Sequence, residues 1–234
     1  MERSRLARPP VELLQSGVVI NPEAIPDLRA QFEETGIALL PGFFSAPVVN
    51  LIMKQVRTTD LKLRNEVMKA TGDVFGTTRK AELTEPVVVG LSFLLNRGEL
   101  FQLAADVAGI RRPGCFLCRL HRTEAVPGQH IDWHDDAVDG RILGLDICLS
   151  AESYEGGLFQ IRSPDKKVRR EVLLAEPGDA FLFRIGDRWQ HRLTPVTSGA
   201  RTVAVGWFRE GPDWSTLAPG ALLASKLLYS GKTL

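Results

Sequence analysis

Cysteine is scarce, with three in 234 residues. So small and odd a number builds no disulfide framework, and a reducing, cytoplasmic setting is expected. Charge of one sign is also missing. Lys and Arg number 29 against 28 Asp and Glu, a net charge of +1, so no strong field selects nucleic acid or a membrane surface as partner. The arginine-rich stretches at Met1–Arg8 and Lys166–Arg170 are short and read as solvated surface. Long apolar runs are absent. The most apolar stretch, Pro86–Leu95, is far too short to span a bilayer. Met1-Glu2-Arg3-Ser4-Arg5-Leu6 has no apolar run behind it and is not expected to act as a secretory signal. Neither an internal repeat nor a low-complexity segment occurs. Histidine is limited to four residues, His121, His130, His134 and His191.

What is present is an ordinary globular composition, 44% hydrophobic and 24% charged, in a chain long enough to bury a sizeable core. One domain over 1–234 is expected, in three portions. Residues 1–113 read as helix-rich. A helix opens at Pro22 with Ile25, Leu28 and Phe32 at helical spacing and stops at Gly36. A short apolar strand, Gly36–Phe44, follows. Ser45 is placed to cap a helix with Val49, Ile52 and Val56 on one face. A further helix over about Glu99–Val107 turns Leu100, Leu103 and Ala104 inward. From Gly114 to Pro212 the texture changes to strands punctuated by turns: Phe116–Arg122, Gly128–Trp133, Arg141–Leu149, Gly157–Arg162, Arg170–Leu174, Ala180–Ile185 and Arg201–Phe208. That spacing predicts a sandwich or barrel of antiparallel strands. A helical segment is expected over 213–234, interrupted at Pro219-Gly220. The fold class is therefore mainly β with flanking helices.

Within the β region stands Trp133-His134-Asp135-Asp136, with His191 and Arg201 downstream. His134, Asp136 and His191 supply two imidazoles and one carboxylate, the donor set of a facial triad with open positions. His-x-Asp on extended backbone places both side chains on one face, and a distal histidine on a neighbouring strand completes the triangle. Arg201 is a fixed cation suited to an acidic co-substrate. His130-Ile131-Asp132 is a second His-x-Asp. Strict alternation puts His130, Asp132, His134 and Asp136 on one face, so geometry alone does not choose between the pairs. Cys115-Phe116-Leu117-Cys118 looks like a redox or zinc motif, but on a strand its thiols point to opposite faces, and both read as core. Trp133, Trp189 and Trp207 are candidates to line the site, with packing as the default role of each.

Gly128-Gln129-His130-Ile131-Asp132-Trp133-His134-Asp135-Asp136 resembles the G-Q-H-x-x-W-H-x-D stretch of 2-oxoglutarate/Fe(II)-dependent dioxygenases of the prolyl-hydroxylase-like superfamily. The likeness continues through Arg141-Ile142-Leu143, Leu149-Ser150 and Tyr154-Glu155-Gly156-Gly157. It resumes at Gly178, Phe183, His191-Arg192-Leu193-Thr194-Pro195-Val196, Gly199, Arg201, Trp207-Phe208 and Gly211-Pro212. The resemblance implies a double-stranded β-helix, or jelly roll, behind N-terminal helices. It makes His134, Asp136 and His191 the iron ligands and leaves His130 as a neighbour. It assigns Arg201 to the far carboxylate of 2-oxoglutarate. The implied reaction consumes 2-oxoglutarate and O₂ on Fe(II), hydroxylates a C–H bond of an amino-acid, peptide or natural-product substrate, and releases succinate and carbon dioxide. Two positions depart from the pattern. Cys148 stands where a Tyr or other polar residue is common, and Val203 where a Ser or Thr is common. Asp146 shares a strand face with Cys148 and is placed either to orient Arg201 or to touch substrate. The rival reading is a cupin-like metal enzyme or binding module that does not use 2-oxoglutarate. It lacks the expected His-x-His pattern and gives Arg201 no task.

Overall fold

The computed structural model describes residues 8–68 and 71–211; Pro212 and the helical segment expected over 213–234 lie outside them. Two short strands, β1 (Val11–Leu13) and β2 (Val18–Ile20), pair as a hairpin. A 3₁₀ turn at Pro22–Ala24 leads into α1 (Ile25–Thr35), which buries Leu28 and Phe32. Gly36 ends that helix with a left-handed φ of 76° and donates its N–H to the Phe32 carbonyl, a conformation in which a Cβ is disfavoured. β3 (Ile37–Leu40) and α2 (Ala46–Val56) follow. Ser45 stands at the N-cap as expected, but its hydroxyl makes no capping hydrogen bond. Pro47 in the first turn presets the backbone there instead.

The helix-rich portion over 1–113 holds α1, α2 and further helices, and it also holds strands that the sequence does not announce. β4 (Lys62–Val67) and β5 (Val74–Lys80) form a hairpin ahead of α3 (Pro86–Leu95) and α4 (Gly98–Ala108). β4 reads Lys-Leu-Arg-Asn-Glu-Val, with no apolar face to announce a strand. Its partner β5 is held by the strands on either side of it, so tertiary pairing decides where local pattern is silent.

The remaining strands are β6 (Cys115–Glu124), β7 (His130–His134), β8 (Arg141–Cys148), β9 (Glu155–Gly156), β10 (Phe159–Arg162), β11 (Val168–Val172), β12 (Ala180–Arg184), β13 (Gln190–Leu193), β14 (Val196–Ser198) and β15 (Ala200–Arg209). The expected strand over 157–162 forms as β10, while β9 lies before it and pairs with β14. β13 is the neighbouring strand expected to carry the distal histidine, its bounds not given by the sequence, and β14 was not anticipated. One sheet of eleven strands runs β11-β10-β13-β7-β5-β6-β15-β8-β12-β3, with β4 on the side of β5. Its pairings are antiparallel throughout. It curls until its two ends face each other as a near-closed, barrel-like double-stranded β-helix. Phe159 of β10, for example, meets Phe183 of β12 at a ring-centroid distance of 5.0 Å.

Period-two alternation divides the core. Leu143, Leu145 and Ile147 of β8, Ala180 and Leu182 of β12, and Ala204 and Phe208 of β15 pack outward with the helices. Cys148, Phe181, Phe183, Val203 and Trp207 pack inward in a second cluster. Strands covered on both faces carry near-continuous apolar runs, as these do. Gly144 is the inward position of β8 that must stay empty: a Cβ there would lie 2.0 Å from the Phe183 ring. Phe183 in turn packs edge-on to His191 at 4.9 Å. Gly144→Ala is therefore expected to destabilise the fold by about 1–3 kcal/mol, read from denaturant midpoints, and to push Phe183 toward His191.

Candidate metal centre

Strand pairing brings the distal histidine to the proximal one. His191 on β13 is the direct cross-strand partner of His134 on β7, and their rings lie 4.2 Å apart. Asp136 sits just past the end of β7, in a turn where the Asp135 carboxylate accepts from the Ala137 amide and the Val138 amide donates to the Asp136 carbonyl. Asp136 Oδ2 lies 3.2 Å from His191 Nε2 and 3.9 Å from His134 Nε2. All three residues are buried, with one potential ligand atom of each within 4.8 Å of the others.

The surroundings orient these atoms. His134 Nδ1 is 2.8 Å from the Asp132 carbonyl, which can only accept. The proton therefore sits on Nδ1 and the Nε2 lone pair faces the cluster, the usual support for a metal-binding imidazole. Phe75 of β5 stacks on His134 at 4.3 Å, and Phe159 stacks on His191 at 5.3 Å. Asp136 is held from both oxygens: Trp207 Nε1 donates to Oδ2 at 2.7 Å and Arg141 Nη1 to Oδ1 at 3.0 Å. Arg141 also lies over the Trp207 ring at 3.8 Å. Burial alone would raise the Asp136 carboxyl. The His191 hydrogen bond and charge, with His134 and Arg141, outweigh it and hold the group far below the usual carboxylate range.

The second His-x-Asp lies elsewhere, and the four-residue face expected from alternation is not formed. Between β7 and β13 the register slips, so that His134 pairs with His191 but Ile131, three residues back, pairs with Leu193. This bulge inverts the parity of the strand. Ile131 and His134 both line the cavity. His130 and Asp132 pair with each other at 3.3 Å on the outside, their side chains 39% and 66% exposed. Of the three candidate tryptophans, Trp207 lines the cavity; Trp133 lies under the guanidiniums of Arg162 and Arg192, and Trp189 beside that of Arg184. Cys115 and Cys118 are buried free thiols, and burial pushes the Cys118 thiol up to about 12, which suits packing.

The cavity in front of the triad measures about 270 Å³ and reaches Arg201 on β15. Arg201 is buried and donates from Nη2 to Asp146 Oδ2 at 2.6 Å, the two side chains being 5% and 4% exposed. Asp146 thus orients Arg201, one of the two roles open to it. Burial works against the charged guanidinium, but Asp146 and Tyr154 outweigh it and keep Arg201 cationic. Arg201 Nε and His121 Nε2 are buried without a hydrogen-bond partner, and both residues line the cavity. An unused guanidinium donor and an imidazole nitrogen that donates in its Nε2–H tautomer, deep in one pocket, fit an incoming carboxylate, since leaving such groups unmatched costs about 1–3 kcal/mol each. Val203 and Cys148, the departures noted in the sequence, are cross-strand neighbours, and His121 is the partner of Val203 on its other side. The polar function missing at 148 and 203 is thus available from His121, a residue the sequence did not single out. The two imidazoles and one carboxylate likewise fit a divalent iron with open positions opposite.

His134 and His121 are both buried as neutral imidazoles. Burial lowers His134 from 6.5 to about 4 and takes His121 well below its usual value. The unfolded chain therefore binds these protons first. Their contribution is complete above the ordinary histidine range and is lost as pH falls through it. The metal-free protein is expected to lose about 1.4 kcal/mol per histidine between about pH 7.5 and pH 5.5, read as a falling urea midpoint. A midpoint that is flat or rises over that range would contradict this.

Residues 118–209 match the 2OG-Fe(II) oxygenase superfamily. A PKHD-type hydroxylase of Maricaulis maris (strain MCS10) is 34% identical over 96 residues, a match spanning 40% of this chain and 41% of that protein. An oxidoreductase of the 2OG-Fe(II) oxygenase family from Burkholderia pseudomallei superposes with a TM-score of 0.61 at 18% identity, over 82% of this chain and 95% of that one. A prolyl hydroxylase from Trichoplax adhaerens, solved with a hypoxia inducible factor peptide fragment, gives 0.63 at 16%, over 80% and 90%. The epimerase SnoN of nogalamycin biosynthesis gives 0.57 at 16%, over 81% and 82%. At these identities the structures bear on the fold alone. The sequence likeness to the 2OG-Fe(II) oxygenase superfamily thus lies in residues 118–209, the part of the chain that holds β7, β13 and the residues of the triad.

Proposed function

We propose that this protein is an Fe(II)- and 2-oxoglutarate-dependent oxygenase that hydroxylates a C–H bond of a small-molecule or peptide substrate. The observation that carries this reading is one cavity lined by the buried His134, Asp136 and His191 cluster together with buried Arg201. His134 and His191 offer their Nε2 atoms and Asp136 a carboxylate oxygen to the metal. Trp207 and Arg141 fix the carboxylate so that it meets the ion without rearranging. Arg201, with Nε unengaged, and His121 receive the far carboxylate of 2-oxoglutarate. When bound, iron and 2-oxoglutarate together supply the activation of oxygen. Phe159, Phe183, Val203 and Val205 form the apolar wall of the same cavity. The three unpaired, buried cysteines suit a reducing, cytoplasmic location.

The test is release of succinate from 2-oxoglutarate by the iron-loaded protein, screened with free amino acids, peptides and cell extracts. Succinate formation that requires Fe(II) and is stimulated by an added compound supports the reading. Iron-loaded protein that neither binds nor consumes 2-oxoglutarate would reject it.

A further inference from the structure

The cavity carries one more positive charge than its carboxylates cover. Lys80 Nζ donates to Glu66 Oε2 at 2.6 Å, Arg141 to Asp136 at 3.0 Å and Arg201 to Asp146 at 2.6 Å. Arg192 donates to the neutral Gln160 side chain and lies 4.8 Å from the Trp133 ring centroid. Asp135, the remaining carboxylate of the lining, is exposed and engaged by the Ala137 amide. Arg119 remains. It lines the cavity and is half-buried, and among the described residues its guanidinium has neither a hydrogen bond nor an ion pair.

Its place follows from register. Arg119 on β6 pairs with Val205 on β15, and Val205 pairs with Asp146 on β8. The three form a row across the inner face, next to the row of His121, Val203 and Cys148. Burial disfavours the charged form of Arg119, and the charge of Arg141 adds to the effect. A guanidinium does not lose its proton in compensation. Glu66, already paired with Lys80, offsets this only in part. Two cations close enough to repel, one of them with no ion pair of its own, are an unfavourable arrangement unless a further anion comes between them. Loading the site does not remove the excess, because the two charges of Fe(II) and the two of 2-oxoglutarate cancel.

We infer that Arg119, with Arg141 beside it, receives a carboxylate of the substrate, and that the substrate is a small carboxylic acid. This rests on the oxygenase reading above and deepens it. One uncovered charge matches a singly charged group, and the planar fork of a guanidinium matches a carboxylate. The cavity of about 270 Å³ also has to hold 2-oxoglutarate, so the part of the substrate that enters it is small. Arg141 holds Asp136 as well, so an acid taken up between the two arginines lies at the triad end of the cavity, with the carbons next to its carboxylate nearest the metal ligands.

The experiment is calorimetric titration, without oxygen, of the protein loaded with Fe(II) and 2-oxoglutarate. The probes are straight-chain acids of two to six carbons and the free L-amino acids, each against its own primary amide. At least one acid is expected to bind about tenfold or more tightly than its amide, a difference of about 1.4 kcal/mol. Arg119→Gln should bring acid and amide to within about threefold, and Arg119→Lys should keep part of the preference. In both variants the affinity for 2-oxoglutarate should stay close to that of the parent, which also reports a folded site. Equal binding of acid and amide, including no binding of either, would overturn the inference, as would a preference that survives in Arg119→Gln. A parent protein that binds no 2-oxoglutarate would instead reject the oxygenase reading beneath it.

Discussion

Replacing His134 or His191 with Ala is expected to abolish iron binding and turnover while the fold persists. Each imidazole contributes one of three donors, and two donors leave a weak site open to water. Loss of an outer-shell partner alone typically weakens metal binding about 10- to 100-fold, so loss of a ligand should exceed that range. The fold should survive because both side chains face the cavity, where Phe75, Phe159 and Phe183 remain to pack around the gap. His130→Ala is the control. Its side chain is outside the cavity, paired with exposed Asp132, and its removal should leave iron affinity within about twofold, since an exposed pair of this kind contributes little. The measurement is equilibrium iron affinity without oxygen, with circular dichroism reporting the fold. A fully active His134→Ala protein, or an inactive His130→Ala protein beside it, would mean that the other His-x-Asp is the metal site.

Arg201→Ala is expected to have two consequences that a single substitution does not separate. It removes the cation proposed for the far carboxylate of 2-oxoglutarate, at an expected loss on the order of a hundredfold or more in affinity. It also leaves Asp146 buried without its partner, a destabilisation of about 3–5 kcal/mol. The pair Arg201→Gln with Asp146→Asn removes both charges while keeping shape, so it should recover most of the stability and none of the co-substrate affinity. Arg201→Lys should recover affinity only in part, because a point charge does not form the fork. Unchanged 2-oxoglutarate affinity in the double variant would show that Arg201 is not the anchor.

The order of the metal-site residues was legible in the sequence because histidine is so rare in it, and the helices ending at Gly36 and spanning 98–108 were legible from spacing. The choice between the two His-x-Asp pairs was not legible from period two. It depends on a bulge between β7 and β13, a property of two strands that neither shows alone. Phe75 stayed hidden for a related reason. It lies on a hairpin whose partner strand alternates charged with other residues, and it reaches His134 only because β5 pairs with β7. β13 is four residues, with Gln190 and Arg192 flanking His191, too short and polar to announce itself. Asp146 could be placed on the face of Cys148, but its ion pair with Arg201 required the cross-strand register of β8 and β15. Trp207 and Arg141 showed as parts of a resemblance, whereas their common grip on Asp136 is a matter of folded geometry alone.

The central claim is that one cavity binds iron through His134, Asp136 and His191 and, on that iron, 2-oxoglutarate through Arg201. Anaerobic titration of the protein with Fe(II) and 2-oxoglutarate, followed by visible absorption, tests it most directly. The account predicts a weak charge-transfer band that appears only when both are present, saturates at one of each per chain, and is absent in His134→Ala and His191→Ala. A band that forms without 2-oxoglutarate, or that persists in those variants, would contradict it.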